Sequence, residues 1–255
     1  MTLLQAAILC GAGALAGALN ALAGGGGFVT LPALMWAGSP PILANTGGTV
    51  AVWPGLLSAL YAYRRNLRHR EYPLWSYLGI AVTGSAAGAC LLLFTSNSFF
   101  LALLPWLLLF ATVLLVFGRP ITDRLSALRG TDAPLPPAAV RFLLFLIAVY
   151  GGYFGGGMGI MTLAVLTLIG MKDMHEMNAL KTLLSAVINS AGVAIFLATG
   201  KVPWLPCLAM TTGCVAGGFL AGHWVQKVDQ AKVRVAIGIM AVCMTGYFFW
   251  KAYAA

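Results

Sequence analysis

The chain has 255 residues, of which 60% are hydrophobic and only 8% charged, with a formal net charge of +9. An average soluble domain is about 25% charged, so a soluble globule is excluded: these few charges cannot form a polar skin. Mean hydropathy is +0.91, and the fold class that follows is an all-α integral membrane protein.

A helical bilayer crossing takes about 20 apolar residues. In chain order, spans are predicted near 44–63, 74–94, 98–118, 177–199, 203–222 and 233–252. Two longer apolar regions, about 3–38 and 140–171, carry glycine clusters. They are too long for one straight span and short for two. Continuous runs such as "FLALLPWLLLFATVLLVFG" argue against an outer-membrane barrel, whose strands alternate polar and apolar residues. No positive n-region precedes Ala21-Leu22-Ala23, so no signal peptide is read there. The five cysteines, scattered in apolar runs, have no metal-ligand spacing and read as buried, inert thiols. Tyr72, Trp75, Trp204 and Trp250 suit interfacial anchoring.

The clusters belong to an internal duplication. At an offset of 132 residues, Gly24, Gly25 and Gly27 fall on Gly156, Gly157 and Gly159. Thr30-Leu31 falls on Thr162-Leu163, Leu34 on Leu166 and Gly38 on Gly170. One inserted residue later, Asn45 matches Asn178 and Thr49 matches Thr182. The organisation expected is a first transmembrane repeat at 1–118, a cytoplasmic linker at 119–139 and a second repeat at 140–255, each of about four hydrophobic segments.

Basic residues concentrate in loops 61–73, 119–141 and 223–234. The positive-inside bias places all three in the cytoplasm and explains the net charge without nucleic acid. Both later loops are cytoplasmic only if the second glycine region dips in and returns. Applied to both halves, this gives three full crossings each, hence inverted repeats with re-entrant or broken helices. The competing arrangement is eight conventional spans in parallel repeats, with long tilted helices.

Non-helical backbone at membrane depth survives only where protein or a water-lined cavity satisfies it. Glycine lets backbone N–H groups approach a ligand, and successive N–H groups at a helix start make an anion-binding concavity. Matched interrupted segments in two repeats mark a central transporter site. The candidate binding residues are therefore Gly24, Gly25, Gly26 and Gly27 with Gly155, Gly156 and Gly157. Helix packing is the competing role for glycine, and Gly13/Gly17, Gly84/Gly88 and Gly218/Gly222 are assigned to it.

Here a resemblance becomes specific. "AGGGGFVTLPALMWAGSPPILANTGGTV" is similar to the first signature of the TauE/SafE family of sulfite exporters and sulfonate permeases. "GGYFGGGMGIMTLAVLTLIGMKDMHEMNALKTLLSAVINSAGVAIFLATGKVPW" resembles the second, so the likeness covers nearly the whole chain. It implies a transporter of anionic sulfur compounds such as sulfite or sulfoacetate. "ANTGGT" and "MNALKT" depart from the family's common Ala-x-x-Thr-Ser type turn, which leaves the substrate open.

Lys181, within "NALKTLLSAVIN", is the sharpest side-chain candidate. A lysine at mid-span costs about 2.5–3.5 kcal/mol unless it snorkels or lines a polar cavity. Asn45, Thr46, Thr49, Asn178 and Thr182 open the matched spans and either cap helices or donate to a sulfonate. Asn189 shares a helical face with Lys181, Asn20 precedes the first cluster, and Trp53 is either pocket wall or packing. Asp173, His175 and Glu176 read as a solvated loop rather than a proton-coupling group.

An enzyme is disfavoured, because no nucleophile–base pair or carboxylate pair lies at membrane depth. All six acidic residues fall in predicted loops, which disfavours hard-cation transport. No cofactor is expected. The expected function is secondary transport by alternating access in the inner membrane; a passive anion channel and a carrier of another organic anion are the alternatives. Expected partners are a small anionic substrate, the lipid bilayer, a coupling ion (proton or sodium) and a second copy in a homodimer.

Overall fold

The computed structural model describes residues 1–23, 25–64, 73–128, 135–171, 173–224 and 230–253. Among them are α1 (Leu3–Ala23), α2 (Gly27–Trp36), α3 (Pro41–Tyr63), α4 (Leu74–Phe94), α5 (Asn97–Leu128), α6 (Pro137–Tyr153), α7 (Met158–Leu168), α8 (Met174–Ala198), α9 (Trp204–Trp224) and α10 (Gln230–Tyr253). The described residues form no strand. Five helices, α1, α4, α5, α8 and α9, are long and apolar enough to cross a membrane. The spans expected at 44–63 and 233–252 are also long helices, α3 and α10. α3 is less apolar because it carries Asn45, Thr46 and Thr49, and the first two are buried.

Each glycine region is two helices separated by a break. α2 and α7 have 10 and 11 residues, about 15 Å at 1.5 Å per residue and half the ~30 Å hydrocarbon core. Both end alike. Gly38 and Gly170 take positive φ (95° and 99°), the left-handed turn that glycine adopts without strain. Ser39 N–H donates to Leu34 O, and Met171 N–H to Leu166 O. These are Schellman closures that satisfy helix-end carbonyls. Proline starts α3 (Pro40-Pro41) and α6 (Pro136-Pro137), where its missing N–H costs nothing.

Each half runs a long helix, a short one and then three long ones. Contacts also pair up: α1 packs on α9 as α6 packs on α4, and α3 packs on α9 as α8 packs on α4. The Thr112 and Thr245 hydroxyls, 133 residues apart, lie 3.2 Å from each other where α5 meets α10. α3 and α8 pack on each other. α8 is the most enclosed of the five candidate spans, with 61% of its apolar stretch buried against 33–39% elsewhere.

The small residues assigned to packing do pack. A Cβ on Gly13 would stand 2.1 Å from Met210 O, and one on Gly17 2.2 Å from Cys214 O, so α1 and α9 touch backbone to backbone. Gly88 meets Val149 O in the same way between α4 and α6. Gly218 abuts Gly55, while the side-chain space at Gly222 lies outside the described residues. Cys207 and Cys214 are buried, but Cys90 and Cys243 are exposed and Cys10 is half-buried; the expectation of uniformly buried thiols fails for these three. Trp75, Trp204 and Trp250 are exposed near helix ends, as anchors require.

Gly24, Lys172, His69 and most of loop 61–73 lie outside the described residues, as do 129–134 and 225–229. α5 continues to Leu128, so the first part of the expected linker is helical.

Candidate functional site

The two breaks meet. A Cβ on Gly27 would lie 2.9 Å from the Gly156 Cα, so only glycine lets these backbones touch. In the second break Gly155 and Gly157 hold positive φ, 80° and 83°, and a Cβ on Gly157 would press to 2.8 Å from the Ala111 Cβ. The irregular carbonyls there are satisfied internally. Tyr150 Oη donates to Gly156 O at 2.8 Å, and Asn45 Nδ2 donates to Tyr153 O at 2.9 Å. This is the condition for broken backbone at membrane depth.

Beside the meeting point lies a pocket with about 340 Å³ of empty space, counting its mouth. α1 contributes Asn20; α2 contributes Gly27 and Thr30. α3 adds Asn45, Gly48, Thr49 and Val52, the second break adds Phe154 and Gly155, and α7 and α8 add Met158 and Asn189. Gly27 and Met158 are the first residues of α2 and α7. Neither helix start has a side-chain cap. The N–H groups of Phe28, Val29 and Thr30 are taken by Gly25 O and Gly26 O, and that of Ile160 by Gly157 O; what the two helix starts bring to the pocket is the positive end of each helix dipole.

Six of the fifteen expected site residues therefore line the pocket: Asn20, Gly27, Asn45, Thr49, Gly155 and Asn189. Gly25 and Gly26 open α2 from outside it, their carbonyls accepting the first helical N–H groups. Gly156 and Gly157 shape the second break. Thr46 Oγ1 donates to Lys201 O at 2.6 Å, tying α3 to the α8–α9 turn. Thr182 Oγ1 donates to Asn178 O within α8. Asn45 and Asn178 are not helix caps, because Pro40-Pro41 and Asp173 start those helices and leave the asparagines a turn further in. Asn178 Oδ1 is buried without a partner. Trp53 does not line the pocket; its Nε1 donates to Ser190 Oγ at 2.7 Å and pins α3 to α8. Asp173 accepts from His175 N–H as an exposed N-cap; His175 and Glu176 lie in the first turn of α8, so the loop expected there is a helix start.

Lys181 lies outside the pocket. It is 1% exposed, and its Nζ donates to Ala21 O at 3.2 Å. Ala21 is near the end of α1, where carbonyls lack helical partners. At the 132-residue offset Ala21 falls on Tyr153: Lys181 donates to a carbonyl near the end of α1, and Asn45 to one at the end of α6. A Cβ on Gly48, the counterpart of Lys181, would meet Thr30 Oγ1 at 2.7 Å. Thr30, Gly48, Val52, Phe154 and Met158 were not among the expected site residues. The Thr30–Thr162 match was the one available signal for any of them.

Lys181→Met is expected to unfold within a few degrees of the parent. It loses a bond to a charged donor, worth about 1.5–3 kcal/mol, and also removes a buried charge, whose replacement is often neutral or stabilising. Lys181→Ala adds a cavity and is expected to lose about 2–5 kcal/mol, as large core truncations do. Thermal unfolding in detergent separates the two.

The family profile for the sulfite exporter TauE/SafE matches residues 9–248. The chain belongs to the TauE/SafE family. A "Probable membrane transporter protein" of Haemophilus influenzae is 30% identical to this TauE/SafE protein over 246 residues, covering 94% of this chain and 92% of that one. "Probable membrane transporter protein YfcA" of Escherichia coli is 28% identical over 243 residues, 94% of this chain and 87% of that one. "Probable membrane transporter protein YunE" of Bacillus subtilis is 27% identical over 261 residues, 94% of this chain and 95% of that one. No solved structure matches significantly. Family, relatives and apolar helices together make this a multi-pass membrane transporter.

Proposed function

We propose that the chain carries small sulfur oxyanions, sulfite or organosulfonates such as sulfoacetate, across the inner membrane by alternating access around this pocket. The observation that supports the cargo class is the convergence of two uncapped helix starts, those of α2 and α7, on one polar pocket. Each such end favours an anion by about 0.3–1 kcal/mol, and up to ~2 kcal/mol where partly buried. Asn20 and Thr30 add side-chain donors with no other hydrogen-bond partner among the described residues. The recurring helix order and the Thr112–Thr245 contact support inverted repeats that rock about an axis near α5 and α10. With that topology, loops 61–73, 119–141 and 223–234 are cytoplasmic.

The test is flux in proteoliposomes, with concentration jumps of sulfite, sulfoacetate, sulfate and acetate in one assay. Saturable responses to the sulfur oxyanions, weak for acetate, are expected. Flux that rises without saturating would make it a channel. Silence from folded protein would remove sulfur anions as cargo.

A further inference from the structure

No charged side chain lines the pocket. The buried lysine next to it is engaged with Ala21 O. A dehydrated anion would therefore meet only the partial charges of two helix ends, although an uncompensated ion in a low-dielectric site is costly. The opposite wall has another character. Asn45 Nδ2 is committed to Tyr153 O, and Asn189 Nδ2 to Ser185 O at 2.8 Å. Both acceptors are backbone carbonyls, which fixes the amide orientation: the nitrogen donates and Oδ1 is left over. Neither Oδ1 has a hydrogen-bond partner among the described residues, though the side chains are only 5% and 6% exposed. Thr49 Oγ1 spends its proton on Asn45 O at 3.0 Å, leaving only lone pairs. The α3–α8 wall thus presents three oxygens with no proton to give, which would repel an anion and suit a cation.

We infer that the pocket binds a sodium ion on Asn45 Oδ1, Asn189 Oδ1 and Thr49 Oγ1, co-bound with the anion held at the starts of α2 and α7. Carbonyl-type oxygens replace the hydration shell of a monovalent ion, and the anion supplies the neutralising charge that the lining lacks. The inference rests on the anion-carrier reading and makes the carrier sodium-coupled.

The test begins with the purified chain in detergent at one fixed concentration of sulfite. Unfolding midpoints are compared in sodium, potassium and choline gluconate at equal ionic strength. Sodium should raise the midpoint by several degrees over choline, with potassium less effective. Asn189→Leu should abolish the sodium shift while unfolding normally in choline, because its Nδ2 bond stays within α8. Equal midpoints in sodium and choline, equal stabilisation by potassium, or a full sodium shift in Asn189→Leu would each overturn the inference. In proteoliposomes an inward sodium gradient should speed sulfite uptake at least tenfold. Saturable sulfite flux indifferent to sodium would keep the carrier and remove the cation site. A sodium shift without sulfur-anion flux would keep the cation site and remove the cargo.

Discussion

Gly217→Val is expected to prevent folding rather than to slow transport. A Cβ at Gly217 would stand 1.9 Å from Ala14 O, and one turn earlier Gly213 faces Cys10 O at 1.9 Å. Both obstacles are backbone, so no side chain can swing aside. α1 and α9 would have to separate along the most extensive helix pair among the described residues. Overpacking a well-filled interior costs about 1–3 kcal/mol and occasionally more, and two facing backbones belong at the top of that range. Lipid adds to the sensitivity. Helices there associate by close packing rather than by escape from water. Gly11→Val and Gly246→Val are the controls, since both positions are exposed with nothing within 4 Å of a new Cβ. Detergent unfolding and size-exclusion profiles should show loss of folded protein for Gly217→Val and wild-type behaviour for the controls. A Gly217→Val chain that melts normally would mean that α1 and α9 do not touch in this way.

Asn20→Leu should do the reverse: stabilise the protein and disable it. Asn20 is 7% exposed, and its amide has no hydrogen-bond partner among the described residues. The amide lines the pocket and is not sealed from it; a polar group partly desolvated without a partner costs up to about 1–3 kcal/mol, and leucine of similar size removes that cost. The same change removes a donor to a charged cargo. Such bonds are worth about 1.5–3 kcal/mol, roughly 10- to 150-fold in affinity. A raised unfolding midpoint with transport reduced at least tenfold is the expected pair of results, the trade expected where a site is strained for function. Unchanged transport would take Asn20 out of the pathway.

The helices were legible because apolar runs of about 20 residues have few other uses. The breaks were legible because four glycines in a row have no helical purpose. What glycine does at each position was less so. Gly27 touches the other break, Gly157 supplies a left-handed start and Gly26 backs onto Ala16 O, and all three look alike in sequence. Lys181 was conspicuous as a charge in an apolar run, but its partner is a carbonyl 160 positions away, a distance no local pattern spans. The asparagines near helix starts resembled caps because Pro40-Pro41 ahead of Asn45 and Asp173 ahead of Asn178 were not credited with starting the helices. The pairing of α1 with α9 left only small residues behind, a signal that many other pairings would share.

Where the two breaks touch, the pocket wall is main chain. That surface has the same chemistry whatever residues flank it, and no point mutation can retune it. With the cargo site proposed above, preference is confined to a few side chains around a fixed frame, chiefly Val52, Phe154 and Met158 for size and Asn20 and Thr30 for polarity. A chain built this way can change what it carries in a few substitutions while the interlocked backbone beneath stays as it is.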